Sequence, residues 1–76
     1  MKLKQIGSNM TELDLGLVQV FFSYETPVAA RTDTGALFRT STKYSVTTTK
    51  HINKWLQGMP AVEVPQAVIS NLVEVA

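Results

Sequence analysis

Cysteine is absent from the chain. That single absence excludes disulfide frameworks, thiolate zinc sites, iron–sulfur clusters and cysteine nucleophiles. Histidine occurs once, as His51, so no histidine pair can share a metal, and no carboxylate and nucleophile are spaced to converge on it as a triad. The glycines at 7, 16, 35 and 58 are too scattered for a phosphate-binding loop. Asp33-Thr34-Gly35 lacks the run of carboxylates that a calcium loop requires. No window approaches the ~20 apolar residues of a membrane span. Met1-Lys2-Leu3-Lys4-Gln5-Ile6 begins basic but lacks the apolar stretch of a signal peptide, so a cytosolic chain without a membrane partner is expected. An excess of one charge is missing too: seven basic and six acidic residues leave a formal net charge of +1. The chain is expected not to be an enzyme and to take no cofactor, metal or small-molecule substrate, since acid–base catalysis needs paired titratable groups in a cleft.

What is there is a chain of 76 residues, 45% of them hydrophobic, which makes one domain (1–76) at the size where a single core is only marginally sufficient. With no disulfide to compensate, self-association is expected.

Leu3 to Ile6 reads as an edge strand closed by the turn Gly7-Ser8-Asn9. From Met10 the period is two: Thr11, Leu13 and Leu15 share one face, Glu12 and Asp14 the other, until Gly16. Leu17 to Tyr24 is the clearest strand. It sets Val18, Val20, Phe22 and Tyr24 on one face and Leu17 and Phe21 on the other, as in a strand buried on both sides. Glu25-Thr26-Pro27 turns the chain into an edge strand, Val28 to Arg31. Thr32-Asp33-Thr34-Gly35 reads as a hairpin loop, with Asp33 bonding local backbone and Gly35 available for positive φ. Strands are predicted at Ala36 to Thr40 and from Lys43 or Tyr44 to Thr47.

At Thr48 the period changes. Ile52, Trp55, Leu56 and Met59 make the stripe of an amphipathic helix over about 49–58, capped by Thr48 or Thr49 and stopped by Gly58 and Pro60. Pro65 opens a second helix over about 65–75 with Val68, Ile69, Leu72 and Val73 on one stripe, and Val62-Glu63-Val64 competes for strand. About five strands over 3–47 cannot form two packed sheets. The expected fold is therefore mainly β: a small, five-stranded, strongly bent barrel of the SH3-like, Sm-like or OB type, one open end capped by one or two short C-terminal helices.

The near-neutral total conceals an arrangement. Residues 31–54 hold Arg31, Arg39, Lys43, Lys50 and Lys54 against Asp33 alone, a local balance of +4, while residues 1–30 sum to −1 and 55–76 to −2. Such a basic stretch interleaved with Phe38 and Tyr44 can neutralise phosphates and stack bases of a single strand. Solvated lysines and core aromatics are the plainer alternative; Trp55, in the apolar stripe, is read as core, and a core Phe38 would send Arg39 outward. His51 is read as a surface residue in the helix's first turn. The nine threonines suit strands and caps rather than hydroxyl chemistry.

Phe22-Ser23-Tyr24-Glu25-Thr26-Pro27-Val28-Ala29 and Tyr44-Ser45-Val46-Thr47-Thr48-Thr49-Lys50-His51-Ile52-Asn53-Lys54-Trp55-Leu56, with Val64-Pro65-Gln66 downstream, resemble a family of small Sm-like (LSm-like) phage proteins of marine metagenomes, of cyanophage origin. The resemblance implies an Sm-like barrel assembled as a homo-oligomeric ring, such as a pentamer, binding RNA or DNA in the cytoplasm of an infected bacterial host. Sm proteins carry an Arg-Gly or Lys-Gly dipeptide in their second half that lines the pore. This chain has neither, so no RNA-binding residue is transferred position by position. Two functions are therefore expected to compete: weak, sequence-tolerant binding of single-stranded nucleic acid, and a structural or adaptor role through protein contacts alone.

Overall fold

A computed structural model describes residues 2–74. In chain order it contains strands β1 (Lys2–Gly7), β2 (Met10–Asp14), β3 (Val18–Ser23), β4 (Thr26–Thr32) and β5 (Leu37–Thr40), helix α1 (Val46–Leu56), strand β6 (Val62–Val64) and helix α2 (Gln66–Glu74). The fold is mainly β, with two helices as expected. It has six strands rather than five, arranged as one open mixed sheet in the order β1-β2-β3-β4-β5-β6. The first four pairings are antiparallel hairpins, and β5 to β6 is parallel, reached through α1. The helices do not cap a barrel end; they cover opposite faces of the sheet.

Alternation along β3 explains this arrangement. Phe21 points to the face under α1, where it packs with Met10, Val28, Ala29, Ile52, Trp55 and Leu56. Its neighbour Val20 points to the other face, where it packs with Leu13 and Ile69, flanked by Leu15, Val18, Phe22, Val64, Leu72 and Val73. Both side chains are fully buried, so β3 is the two-sided strand that its composition predicts. Leu17 and Tyr24 are not part of it: Leu17 stands in the preceding loop, 74% exposed, and Tyr24 in the following turn at φ 57°, 49% exposed.

Several boundaries differ from expectation for physical reasons. The segment from Lys43 to Thr47 is not a strand. Ser45 caps α1 by accepting the Thr48 N–H at 3.1 Å, so the helix begins at Val46, and the capping residue is neither Thr48 nor Thr49. A local side-chain-to-backbone bond outweighs the β propensity of Val46 and Thr47 here. Gln57, in the left-handed region at φ 56°, ends α1, which leaves Met59 outside the helical stripe. The strand beginning near Pro27 is central, not an edge, because β4 pairs with β3 and β5. Pro27 is tolerated there at a register shift: Phe21 faces Ala29 while Phe22 faces Pro27, a bulge that removes the need for the missing N–H.

Val62-Glu63-Val64 is a strand, and α2 begins just after Pro65. Position 75 of the expected second helix lies outside the described residues. The 32–35 loop is a hairpin connection as predicted, with Gly35 at φ 91°. Its local backbone bond comes from the Thr32 hydroxyl, which accepts the Ala36 N–H, and not from Asp33.

Phe21→Ala empties the centre of the α1 face. The expected cost is about 3–5 kcal/mol, most of the stability of so small a domain, so urea denaturation should show the variant largely unfolded. Ser45→Ala should cost about 1 kcal/mol and lower the urea midpoint with an unchanged slope.

Candidate nucleic-acid interface

The antiparallel register assembles two cross-strand rows on the α1 face. One runs Lys2, Asp14, Gln19, Arg31, Leu37; the other runs Lys4, Glu12, Phe21, Ala29, Arg39, Glu63. Lys50 and Lys54 stand exposed on α1 itself, and Lys43 stands exposed in the loop leading into it. Thus every lysine and arginine lies on or beside one side of the sheet. Glu12, Asp14 and Glu63 share that side, while Glu25, Asp33 and Glu74 lie in hairpin turns and on α2. The opposite row, Leu3, Leu13, Val20, Ala30, Phe38, Val62, carries no charge.

Within this basic side the cations differ in freedom. Arg31 is committed: its Nε and Nη2 both donate to Gln19 Oε1, Nη2 stands 3.7 Å from Glu12 Oε1, and its guanidinium lies 5.3 Å from the centre of the Trp55 ring. Trp55 Nε1 donates to Glu12 Oε2 at 3.0 Å, and the indole stacks on Phe21 with centroids 5.2 Å apart. Phe21 and Arg31 thereby engage the indole, and Trp55 serves the core rather than a base. Arg39 donates to Asn53 Oδ1 at 3.2 Å, tying β5 to α1 while remaining half-buried. Lys43, Lys50 and Lys54 are the exposed cations of the stretch, with Tyr44 also exposed beside Lys43.

Phe38 does not join them. It lies on the α2 face and lines an apolar cavity of about 220 Å³ with Val18, Thr32, Val68, Ile69 and Leu72. The adjacent Arg39 points the other way, as strand alternation requires.

His51 is not a first-turn surface residue. It is half-buried in the second turn of α1, its Nδ1 2.9 Å from Ser23 Oγ and its ring 5.8 Å from that of Tyr24. Ser23 Oγ also bonds Thr48 Oγ1, which accepts from Ser45 Oγ. Ser23 is 2% exposed. The four side chains clip the start of α1 to the end of β3. Sequence reading missed this clip because the partners lie 28 residues apart, and no local period links them. Among the described residues no three of His, Asp and Glu converge to hold a metal ion, and no helix is long and apolar enough to cross a membrane.

A family model described as a family of unknown function (DUF8033) matches residues 1–71. No curated protein and no solved structure matches the chain.

The committed arginine and the free lysines should separate experimentally. Glu12→Gln weakens the partner of Arg31 and Trp55 at a half-buried site, and should cost about 1–2 kcal/mol with a change in Trp55 fluorescence. Lys50→Gln should leave the urea midpoint within error of the parent.

Proposed function

The chain belongs to the DUF8033 family, matched over residues 1–71 and of unknown function; from its geometry we propose a non-enzymatic, sequence-tolerant binder of single-stranded RNA or DNA. The carrying observation is the collection of all lysines and arginines on or beside the α1 side of the sheet, opposite an uncharged face. Lys43, Lys50 and Lys54 neutralise phosphates, with Arg39 at their margin. Tyr44 supplies a stacking surface, since base–aromatic stacking needs only an exposed π-face. Arg31 and Phe38 support the interface from within the fold and do not touch the strand.

In this reading the open sheet is the single-chain form of an Sm-like or SH3-like barrel, completed by neighbouring copies in a homo-oligomeric ring such as a pentamer. The ring works in the cytoplasm of an infected bacterial host. Support comes from the resemblance to small Sm-like phage proteins and from the two unpaired sheet edges.

A second reading is favoured by the bonds that hold Arg31 to Gln19 and Arg39 to Asn53. Two of the cations are then structural, the remaining lysines are rim charges, and the protein is an adaptor acting through protein contacts only.

Anisotropy titrations of labelled oligo(U) and oligo(dT) over a range of salt distinguish the two. Four phosphate contacts predict a slope of log K against log salt of about −3 for a single strand. Lys43→Glu with Lys50→Glu should weaken binding at least about tenfold and flatten that slope. Absence of binding at low salt, or binding indifferent to salt, overturns the nucleic-acid reading in favour of the adaptor.

A further inference from the structure

The two free edges of the sheet are complementary to each other in charge, in apolar side chains and in backbone phase. On the β1 edge stand Lys2 and Lys4 with no acid; on the β6 edge stands Glu63 with no base. Lys4 and Glu63 are the two ends of one cross-strand row on the α1 face, and Leu3 and Val62 are the two ends of the apolar row on the α2 face. Leu3 is 71% exposed and Val62 60% exposed. The apolar row therefore runs out into solvent at both edges, beyond what α2 covers.

Backbone phase can be read from the bonds that flank each edge. Leu15 N–H donates to Val18 O, and Asn9 O accepts from Tyr24 N–H. Odd-numbered residues of β2 thus turn their polar groups toward β3, and Met10, Glu12 and Asp14 turn theirs toward β1. Lys4, opposite Glu12, therefore turns inward, which leaves the N–H and C=O of Leu3 and Gln5 on the free edge. At the other edge Val64 O accepts from Ser41 N–H, so Val64 and Val62 turn toward β5 and Glu63 presents its N–H and C=O outward.

We propose that β6 of one copy pairs in parallel with β1 of a second copy, Glu63 opposite Lys4 and Val62 opposite Leu3, joining chains head to tail. The inference rests on the reading of the chain as an assembling module and is independent of nucleic acid. In this register Glu63 N–H donates to the Leu3 C=O of the next copy, and Glu63 C=O accepts its Gln5 N–H, the pattern of a parallel ladder. The apolar rows become continuous on one face, and a lysine meets a glutamate on the other.

Other seatings of these edges lose the contact between Lys4 and Glu63. Two β6 edges related by a twofold set Glu63 against Glu63, and two β1 edges centred on Lys4 set Lys4 against Lys4. An antiparallel β6 to β1 seating reverses the faces and brings Lys4 against Val62 or Val64. A heterologous joint closes as a ring or runs on as a filament, whereas an isologous one stops at a dimer. Pro65 ends the donor set of β6, so the joint is short and depends on its one ion pair.

The test is solution mass by light scattering, without nucleic acid, over a concentration series. The parent chain should assemble, and Lys4→Glu or Glu63→Lys should each raise the concentration needed by about tenfold. Lys4→Glu combined with Glu63→Lys in one chain should restore assembly. An equimolar mixture of the two single variants should raise the mass above that of either alone, because alternating copies meet an opposite charge at each shared joint; a filament or even-membered ring recovers fully, and an odd-membered ring keeps one like-charged joint. Reversal of either charge also disturbs an in-chain neighbour, Glu12 or Arg39, but such a folding defect would be shared or deepened in the double variant and could not be repaired by mixing. A monomeric parent overturns the assembling reading and the joint together. An assembling parent whose single variants assemble equally well, or whose mixture and double variant stay at the mass of the singles, overturns the joint alone.

Discussion

Val20 and Phe21 are consecutive, point to opposite faces of one strand, and are both fully buried. A chain of 76 residues can satisfy that constraint only by placing something apolar on each side of β3. The crossover from β5 through α1 to β6 supplies one cover, and the return of the chain into α2 supplies the other. Neither helix is long: α1 has 11 residues and α2 has 9. Isolated helices of this length are marginal in water, so they persist because they are the lids of β3, just as β3 is buried because they are present.

The two covers are chemically unlike. Under α2 contact is almost wholly apolar, built on Leu13, Val20 and Ile69. Under α1 the apolar cluster is bordered by polar links: Trp55 to Glu12, Glu12 to Arg31, Arg39 to Asn53, and Ser23 to both Thr48 and His51. These bonds orient α1 in a way that hydrophobic contact, which is non-directional, does not. The basic side that carries the functional reading follows from strand alternation, which sets Lys2, Lys4, Arg31 and Arg39 on one face, and from α1, which brings Lys50 and Lys54 to the same side.

Much of the strand pattern was legible because its cause is local. The two-sided character of β3 follows from alternating apolar residues, Gly35 takes the positive φ its loop needs, and the stripe Ile52, Trp55, Leu56 is buried as its spacing requires. Tyr44 to Thr47 misled because propensity favours strand there, while the Ser45 cap, worth about 1 kcal/mol, decides for helix. Pro27 misled because a proline in a central strand is permitted only at a bulge, and the bulge is a property of the β3–β4 register. The basic stretch at 31–54 was visible as a count and the opposition of Phe38 to Arg39 as strand alternation, but which of the two faces the α2 side and lines its apolar cavity follows only from the tertiary structure.

By itself, then, the sequence determined the period of each element, the buried identity of Phe21 and Trp55, and the uneven run of charge, since each is set by neighbours within one turn or one strand. Only the tertiary structure decided which cations are free. Arg31 meets Gln19 and Glu12 through strand register, and Arg39 meets Asn53 across the layer between sheet and helix. It alone also decided that Lys4 and Glu63, 59 positions apart in the chain, end the same row at opposite edges of the sheet. Cross-strand pairing depends on register, and register is set jointly by every turn and bulge between the strands.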